Sequence, residues 1–232
     1  MPARPALSRK VSDMKTVVFD LDGTLADTSG DLLAAANATF AALGHAPPLG
    51  AGDEALAHQG GRAMLRAGFA RIGHPIDEAR VNALYPALLG HYEGGLCVQT
   101  RLYDGAVQAI DTLRARGFAC VICTNKPTYL ADSLLQSLKI RDLFGGLIGA
   151  GSLEVVKPNP AMFFAALTAV GGTEGIMLGD TETDHLTARA AGVPSVLVGF
   201  GPHGSQVAAL NPDAILPHFD ALPNLAAQLL PI

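Results

Sequence analysis

The most informative run in the chain is Phe19-Asp20-Leu21-Asp22-Gly23-Thr24-Leu25-Ala26-Asp27. It continues an apolar segment, Val17 to Phe19, that is typical of a buried strand. Residues two apart on a strand point to the same side, so Asp20 and Asp22 are expected to face one cavity. Two neighbouring carboxylates repel each other and shift each other's pKa. The pair therefore predicts either a bound divalent cation or acid–base chemistry on a phosphate.

The composition predicts a globular protein with a sizeable core. The chain has 232 residues, of which 49% are hydrophobic and 16% charged, and its formal net charge is −5. This balance argues against nucleic acid or an anionic membrane as the main partner, whereas a small phosphorylated metabolite needs only local positive charge. No apolar run approaches the length of a membrane span. Cys120 and Cys123 fall on opposite faces of a predicted strand, which favours unpaired thiols in a reducing cytoplasm.

Short apolar runs alternate with helical patterns along most of the chain. Strands are predicted over residues 16–20, 119–124, 147–150, 175–179, 195–198 and 214–216. Helices are predicted over residues 105–116, 129–138, 160–170 and 184–191. Such alternation implies an α/β fold, a doubly wound and mostly parallel sheet with helices on both faces.

The interval from 28 to 100 breaks this rhythm, because it contains apolar residues at helical spacing and no convincing strand. We predict that it is an inserted all-helical domain, called the helical insert below. The predicted core then comprises residues 14–27 and 101–232. Residues 1–13 carry basic residues without an apolar stretch, so a flexible N-terminal tail is predicted rather than a secretory signal.

Further polar signals follow other predicted strands. They are Thr124-Asn125-Lys126, Lys157-Pro158, and Gly179-Asp180 with Asp184. In open α/β sheets ligands bind outside the carboxyl ends of the strands, so these residues are expected to share one crevice with the first pair. Each has an ordinary alternative: a turn at Thr124, a solvated Lys157, and a capping box formed by Thr181 and Asp184. Their order at successive strand ends favours function.

In these motifs the chain resembles the haloacid dehalogenase-like hydrolase superfamily. The first motif is Asp20-Leu21-Asp22-Gly23-Thr24, the second ends in Thr124, the third is Lys157, and the fourth is Gly179-Asp180 with Asp184. The resemblance implies a Rossmann-like core with a small C1-type helical cap. It also implies Asp20 as the nucleophile and Asp22 as general acid and base.

The same resemblance implies a Mg²⁺ ion and a set of ligands for it and for the substrate. Asp20, the Asp22 backbone carbonyl and Asp180 would hold the metal, while Asp184 would orient Lys157 or a bound water. The phosphoryl oxygens would be held by Thr124, Asn125, Lys157 and the backbone amides of Gly23 and Thr24.

Among the chemistries of the superfamily, phosphoryl transfer is preferred. Dehalogenases lack the second aspartate of the first motif, and phosphonate hydrolases use a cap lysine, whereas residues 28–100 contain no lysine. The chain most resembles phosphoglycolate phosphatases. Sugar-phosphate or nucleotide phosphatases and β-phosphoglucomutase-like phosphotransferases stay open, as does a non-catalytic phosphate-binding regulatory module. The sequence also leaves open whether the chain is a homodimer.

The helical insert is expected to choose the substrate. Its predicted entry is Gln59-Gly60-Gly61-Arg62, a flexible glycine pair leading into a helix, and we hypothesise that Arg62 or the nearby backbone meets the carboxylate of phosphoglycolate. The alternative, an Arg62 that faces solvent, carries equal weight at this point. Arg66 is a weaker candidate for the same role, and His185 is expected on a helix surface.

Overall fold

The computed structural model describes residues 14–75 and 77–231, so the predicted N-terminal tail lies outside the described residues. The strands are β1 (Met14–Phe19), β2 (Ala26–Asp27), β3 (Arg101–Leu102), β4 (Ala119–Pro127), β5 (Leu147–Ala150), β6 (Gly172–Gly179), β7 (Ser195–Val198) and β8 (Ala214–Leu216). The α-helices are α1 (Ser29–Ala42), α2 (Glu54–Ala57), α3 (Gly61–Arg71), α4 (Glu78–Gly94), α5 (Ala106–Ala115), α6 (Thr128–Ser137), α7 (Ala161–Ala169), α8 (Glu182–Ala191) and α9 (Leu222–Leu229).

Six strands form one sheet in the order β5-β4-β1-β6-β7-β8, and every neighbouring pair is parallel. The first strand is central, so both of its faces are covered. Val17 and Phe19 pack into the apolar cluster that includes α5, α6 and α9, whereas Val18 packs on the opposite face with α7 and α8. The predicted doubly wound α/β fold is confirmed.

Four helices, α1 to α4, lie between residues 28 and 100 and enclose an apolar cluster of their own. Phe40 and Phe69 meet edge to face at its centre, with ring centroids 5.1 Å apart. Gly68 lets α3 approach the ring of Phe40, because a Cβ at this position would overlap that ring. The helical insert thus buries apolar surface independently of the central sheet.

Two short connections tie the ends of the helical insert together. Strands β2 and β3 pair antiparallel, with Ala26 opposite Leu102. The carboxylate of Asp31 accepts hydrogen bonds from the backbone amides of Gln99 (2.7 Å) and Thr100 (3.0 Å). The sequence predicts neither strand, because two residues cannot display a period.

Several boundaries differ from prediction. Strand β4 continues to Pro127, three residues beyond its predicted end, and α9 was not predicted. Residues 56–72, which carry apolar residues at helical spacing, are divided between α2 and α3, because Gly60 adopts φ of +95° between the two helices. In the described part of the chain, no helix combines the length and hydropathy that crossing a bilayer requires.

Candidate active site

The central strands β4, β1 and β6 end side by side, and this carboxyl edge carries most of the predicted site residues. Asp20 follows β1, Thr124 lies in β4, and Asp180 follows β6. A cavity of about 540 Å³ opens above the edge and is lined by residues of both the edge and the helical insert. Of the predicted residues, the cavity wall includes Asp20, Asp22, Thr124, Asn125 and Lys157.

Lys157 is buried at the centre of this edge and binds two carboxylates. Its Nζ lies 2.7 Å from Asp20 Oδ1 and 2.6 Å from Asp184 Oδ1, and its side chain is 3% exposed. Burial alone would lower the pKa of Lys157, but Asp184 and Asp20 together raise it above its usual range. Lys157 is therefore a fixed cation, not the solvated surface lysine of the alternative interpretation.

Asp184 performs both tasks that the sequence offered as alternatives. Its Oδ1 binds Lys157, while its Oδ2 accepts hydrogen bonds from the backbone amides of Asp180 (3.2 Å) and Thr181 (3.1 Å). Thr181 and Asp184 also form a capping box at the start of α8. Because its oxygens serve Lys157 and the turn after β6, Asp184 positions other groups of the site.

Asp180 offers a carboxylate oxygen with the properties of a metal ligand. Thr24 Oγ1 donates to Asp180 Oδ1 at 3.0 Å, whereas the buried Oδ2 has no hydrogen-bond partner among the described residues. Carboxylate oxygens of Asp20, Asp180 and Asp184 lie within 4.8 Å of one another. An all-oxygen set with an unsatisfied buried carboxylate oxygen suits a hard cation such as Mg²⁺.

The raised pKa values of two of these carboxylates also favour a bound cation. Burial raises the pKa of Asp20 to about 7, outweighing the lowering effect of Lys157 and reinforced by Asp184. Burial, followed by Asp184 and Asp20, raises the pKa of Asp180 well above its usual range. If all three carboxylates were ionised, their negative charge would exceed what Lys157 alone can balance, so a further cation would stabilise their ionised forms.

Asp22 stands apart from this cluster and has a different environment. Its Oδ1 accepts hydrogen bonds from Thr28 Oγ1 (2.7 Å) and Lys126 Nζ (2.8 Å). Burial tends to raise the pKa of Asp22, but Lys126 and Thr28 together hold it below its usual value. The two aspartates of the first motif are thus paired with different lysines.

Lys126 was expected at this crevice from its place after Thr124, but the sequence interpretation gave it no role. It lines the cavity, its side chain is 4% exposed, and its Nζ lies 4.3 Å from the centre of the Tyr92 ring. The signal was present, since Thr124 and Lys126 are two residues apart and β4 extends past both. Ending the predicted strand at Thr124 concealed that the two side chains share a direction.

Asn125 lines the cavity, but its amide group is bonded to the third motif. Nδ2 donates to the Lys157 carbonyl at 3.0 Å, and Oδ1 accepts from the Lys157 backbone amide at 2.8 Å. This pair of bonds ties the end of β4 to the loop that carries Lys157. The sequence predicts a contact with phosphate here and does not predict this link.

Gly23 and Thr24 have contacts that differ from the predicted phosphate contacts. The Gly23 amide donates to the Ala26 carbonyl at 2.9 Å within the loop that follows β1. Thr24 is fully buried, and its hydroxyl is bonded to Asp180. Gly23 has φ of +80°, and a Cβ there would overlap the Asp180 carboxylate. Both residues lie against Asp180, and neither is among the residues that line the cavity.

The structure does not bring Arg62 to the cavity, which corrects the hypothesis that it meets the substrate. Its Nε donates to Asn82 Oδ1 at 2.8 Å, and its guanidinium lies 3.8 Å from the centre of the Tyr85 ring. Tyr85 and Gly61 line the cavity, whereas Arg62 is not among its lining residues. The weaker candidate, Arg66, is bound to Glu78 at 2.6 Å.

The helical insert contributes a histidine that the sequence interpretation missed. His58 lines the cavity near Gly23, and neither buried ring nitrogen has a hydrogen-bond partner among the described residues. Burial lowers its pKa, so the ring is neutral at neutral pH. His185, expected on a surface, is instead buried, with Nδ1 3.0 Å from Ser195 Oγ, because α8 packs against β7.

The sequence model of the haloacid dehalogenase-like hydrolases matches residues 14–192. The chain belongs to this family. It is 37% identical over 218 residues to the phosphoglycolate phosphatase of Caulobacter vibrioides, with 93% of this chain and 92% of that protein aligned. The phosphoglycolate phosphatase of Agrobacterium fabrum is 35% identical over 226 residues, which cover 96% of each protein. The predicted family resemblance is confirmed, and the chain is an enzyme of the phosphoric monoester hydrolase class.

Solved structures share the fold. A predicted phosphoglycolate phosphatase from Haemophilus somnus matches with a TM-score of 0.79 and 24% identity, over 92% of this chain and 98% of that one. CbbY from Rhodobacter sphaeroides, solved in complex with phosphate, matches with a TM-score of 0.70 and 22% identity, over 90% and 96% of the respective chains. The similarity covers the sheet and the helical insert alike.

Proposed function

We propose that the chain hydrolyses 2-phosphoglycolate to glycolate and phosphate through a phosphorylated Asp20, with Mg²⁺ as its cofactor. The observation that carries this proposal is the pair Asp20 and Asp22 at the end of β1, each held by its own buried lysine at the wall of one cavity. The phosphoglycolate phosphatases to which the chain is similar support the choice of substrate.

In the first half-reaction, a carboxylate oxygen of Asp20 attacks phosphorus and forms an acyl phosphate. The bond from phosphorus to the ester oxygen breaks, and the leaving oxygen takes a proton from the carboxyl group of Asp22. Asp22 must take up this proton from solvent when the substrate binds, because without substrate the effect of burial is outweighed by Lys126 and Thr28, which hold its pKa below the usual value. Lys157 holds Asp20 in place, since its ammonium is 2.7 Å from Asp20 Oδ1. The buried Thr124 at the same edge is the proposed hydroxyl contact for a phosphoryl oxygen.

In the second half-reaction, water attacks the phosphorus of the acyl phosphate. Asp22, now a carboxylate, accepts the proton of that water, and the bond from phosphorus to Asp20 breaks. Phosphate leaves and both aspartates return to their starting state. One side chain serves as acid and then as base, which matches the position of Asp22 beside Asp20 but outside the three-carboxylate cluster.

The residues that would hold Mg²⁺ are Asp20, the Asp22 backbone carbonyl and Asp180, with Asp184 positioning Lys157. When bound, the ion would neutralise negative charge on the phosphoryl oxygens and on the nucleophile. The donors come from the carboxyl edge, and the unsatisfied Oδ2 of Asp180 is the feature that favours this assignment. Calorimetric titration with Mg²⁺ should show a heat of binding in the wild type and none in Asp180→Asn.

We propose further that residues 14–27 and 101–232 form the catalytic core and that residues 28–100 form a cap over it. The cavity wall includes Gly60 and Tyr85 from the helical insert opposite Asp20 and Lys157 from the core. Such a cap excludes water from the acyl phosphate until the alcohol product has left. The connection through β2 and β3 is the proposed joint between the two.

The test of the proposed function is phosphate release from 2-phosphoglycolate, glucose 6-phosphate and adenosine 5′-monophosphate, with Mg²⁺ and with a chelator. We expect the highest kcat/KM for 2-phosphoglycolate and no turnover in the chelator. A higher kcat/KM for the sugar phosphate or the nucleotide would reject the substrate. Isomerisation of a sugar phosphate, stimulated by a bisphosphate, would reassign the reaction, and a folded protein that releases no phosphate would be a binding module.

A further inference from the structure

The cavity must accommodate a second anionic group if the substrate is 2-phosphoglycolate, and the inference drawn here rests on that proposed function. We infer that Lys126 binds the carboxylate of the substrate and thereby selects phosphomonoesters whose alcohol part carries one. The cation comes from β4 in the core, at the position next to the phosphate-binding motif, and not from the helical insert.

The charges along the cavity wall favour Lys126 over the other basic groups. The acidic residues of the wall are Asp20, Asp22 and Glu182, and its lysines are Lys126 and Lys157. A substrate carboxylate placed among these acids without a cation would be repelled. The ammonium groups of the two lysines are the wall's strongest attractors for that carboxylate.

Lys157 already binds other anionic groups of the site. It is bound to two carboxylates, at 2.7 and 2.6 Å, and it is the proposed partner of the phosphoryl group as well. Lys126 has one carboxylate partner, Asp22 Oδ1 at 2.8 Å, and the face of Tyr92 beside it. Of the two lysines, Lys126 has the capacity to bind a further anion.

The distances agree with the length of the substrate. In the proposed mechanism the ester oxygen is within hydrogen-bond distance, about 3 Å, of the Asp22 carboxyl group. Lys126 Nζ lies 2.8 Å from the same carboxylate. In 2-phosphoglycolate one methylene group separates the ester oxygen from the carboxylate carbon, so a substrate that engages Asp22 brings its carboxylate to the neighbourhood of Lys126.

The surroundings strengthen such a contact. The side chain of Lys126 is nearly inaccessible to solvent, with Tyr92 on one side. Opposite charges attract more strongly in such a poorly hydrated place than at the surface. The helical insert thus supplies an aromatic ring beside a cation that belongs to the core, whereas its own Arg62 is bound to Asn82 and lies against the Tyr85 ring.

The experiment compares 2-phosphoglycolate with ethyl phosphate, which has the same ester linkage and no carboxylate. We expect Lys126→Met to lower the ratio of the two kcat/KM values at least tenfold, chiefly by raising KM for 2-phosphoglycolate. Loss of the partner of Asp22 affects both substrates, which is why the ratio is measured. Lys126→Arg keeps the charge and should retain most of the ratio, and it provides a second test if Lys126→Met fails to fold.

Arg62→Met is the matched control, since it removes a cation from the helical insert, and it should leave the ratio within twofold of the wild-type value. A ratio that persists in Lys126→Met, or that falls equally in Arg62→Met, would overturn the assignment of Lys126 alone. A wild-type enzyme with no preference for 2-phosphoglycolate over ethyl phosphate would overturn the proposed substrate, and the assignment with it.

Discussion

The carboxyl edge of the sheet and the helical insert face each other across the cavity and differ in the groups that they present. The edge presents charged residues, each fixed by a partner from another strand or loop, as Lys157 is by Asp20 and Asp184. The insert presents neutral groups, such as His58 and Tyr85.

The arginines of the insert show the same division. Three of the four are bound to polar partners within the insert: Arg62 to Asn82, Arg66 to Glu78 and Arg71 to Asp53. The fourth, Arg80, lies over the ring of Phe69, also within the insert. We therefore propose that the edge carries out the chemistry of the reaction, while the insert supplies shape and excludes water. Substitutions at the edge should lower kcat, and substitutions within the insert should alter stability or KM.

The largest expected effect is that of Asp20→Asn. An amide cannot attack phosphorus as a carboxylate does, so turnover of 2-phosphoglycolate should fall by about 10⁴ or more. Binding of inorganic phosphate, measured by calorimetry, should persist, because Lys157 and Thr124 remain. Turnover within tenfold of wild type would remove Asp20 as the nucleophile.

Asp22→Asn should come next and should separate the two half-reactions. General acid–base catalysis contributes about 10²- to 10⁴-fold, and an asparagine supplies no proton. With p-nitrophenyl phosphate the leaving group needs no proton, so the first half-reaction should survive while hydrolysis of the acyl phosphate slows.

Stopped-flow absorbance should then show a burst of nitrophenol that matches the enzyme concentration. A linear time course at a rate near that of the wild type would contradict the role of Asp22 as base. A slow, linear release of nitrophenol without a burst would place the effect of Asp22→Asn in the first half-reaction.

The sequence predicts the edge better than the insert, for a physical reason. The edge strands are continuous apolar runs, and strand alternation predicted one side for Asp20 and Asp22. Both line the cavity, although β1 ends at Phe19 and the loop after it carries them. The sequence placed Lys126 at the crevice but gave it no role, since the predicted strand ended at Thr124, three residues before its actual end at Pro127. Asp184 was left with two interpretations, and the structure shows that its two oxygens allow both.

Positions in the insert depend on tertiary contacts that no local pattern contains. Gly60 and Gly61 predicted a turn into a helix, and α3 does begin at Gly61, but the direction of Arg62 is set by Asn82 and Tyr85 of α4. His58 lies in the loop between α2 and α3, and only the packing of the insert on the core brings it near Gly23. Sequence spacing cannot reveal contacts between helices whose crossing is unknown.

Asn125→Ala should have a moderate effect, since it acts through another residue. Its amide makes two hydrogen bonds to the backbone of Lys157, and their loss should loosen the lysine that holds Asp20. We expect the loss of these hydrogen bonds to raise the activation barrier by roughly 1–1.5 kcal/mol, which lowers kcat about tenfold. KM should change less.

Asn125→Asp is the matched variant, because it retains the acceptor for the Lys157 amide and loses the donor to the carbonyl. Its kcat should lie between those of the wild type and Asn125→Ala. A change confined to KM in both variants would instead indicate direct contact with substrate, as the sequence analysis predicted.

The smallest effect is expected in the insert, at Asp53. Hydrogen bonds from Arg71 and the Gly50 amide lower the pKa of Asp53 to about 2. Because the pKa is lower in the folded state, this stabilisation is present above about pH 4 and is lost as the pH falls towards 2. Arg71 is 46% exposed, so solvent screening limits the contribution to about 1 kcal/mol.

Urea unfolding should show a lower free energy of unfolding for Asp53→Asn than for the wild type at pH 7 and a smaller difference near pH 3. The kcat for 2-phosphoglycolate should be unchanged. A pH-independent difference would show that the ion pair is not its source. A fall in kcat comparable to that of Asn125→Ala would contradict the division of labour between edge and insert.

The nucleophilic role of Asp20 is tested by rapid acid quench of the enzyme with ³²P-labelled 2-phosphoglycolate, followed by peptide mapping. We predict a label that is stable in acid, is released by hydroxylamine, and maps to Asp20. Label on any other residue, or no label while phosphate is still being released, would contradict the proposal that the carboxyl edge forms a covalent intermediate.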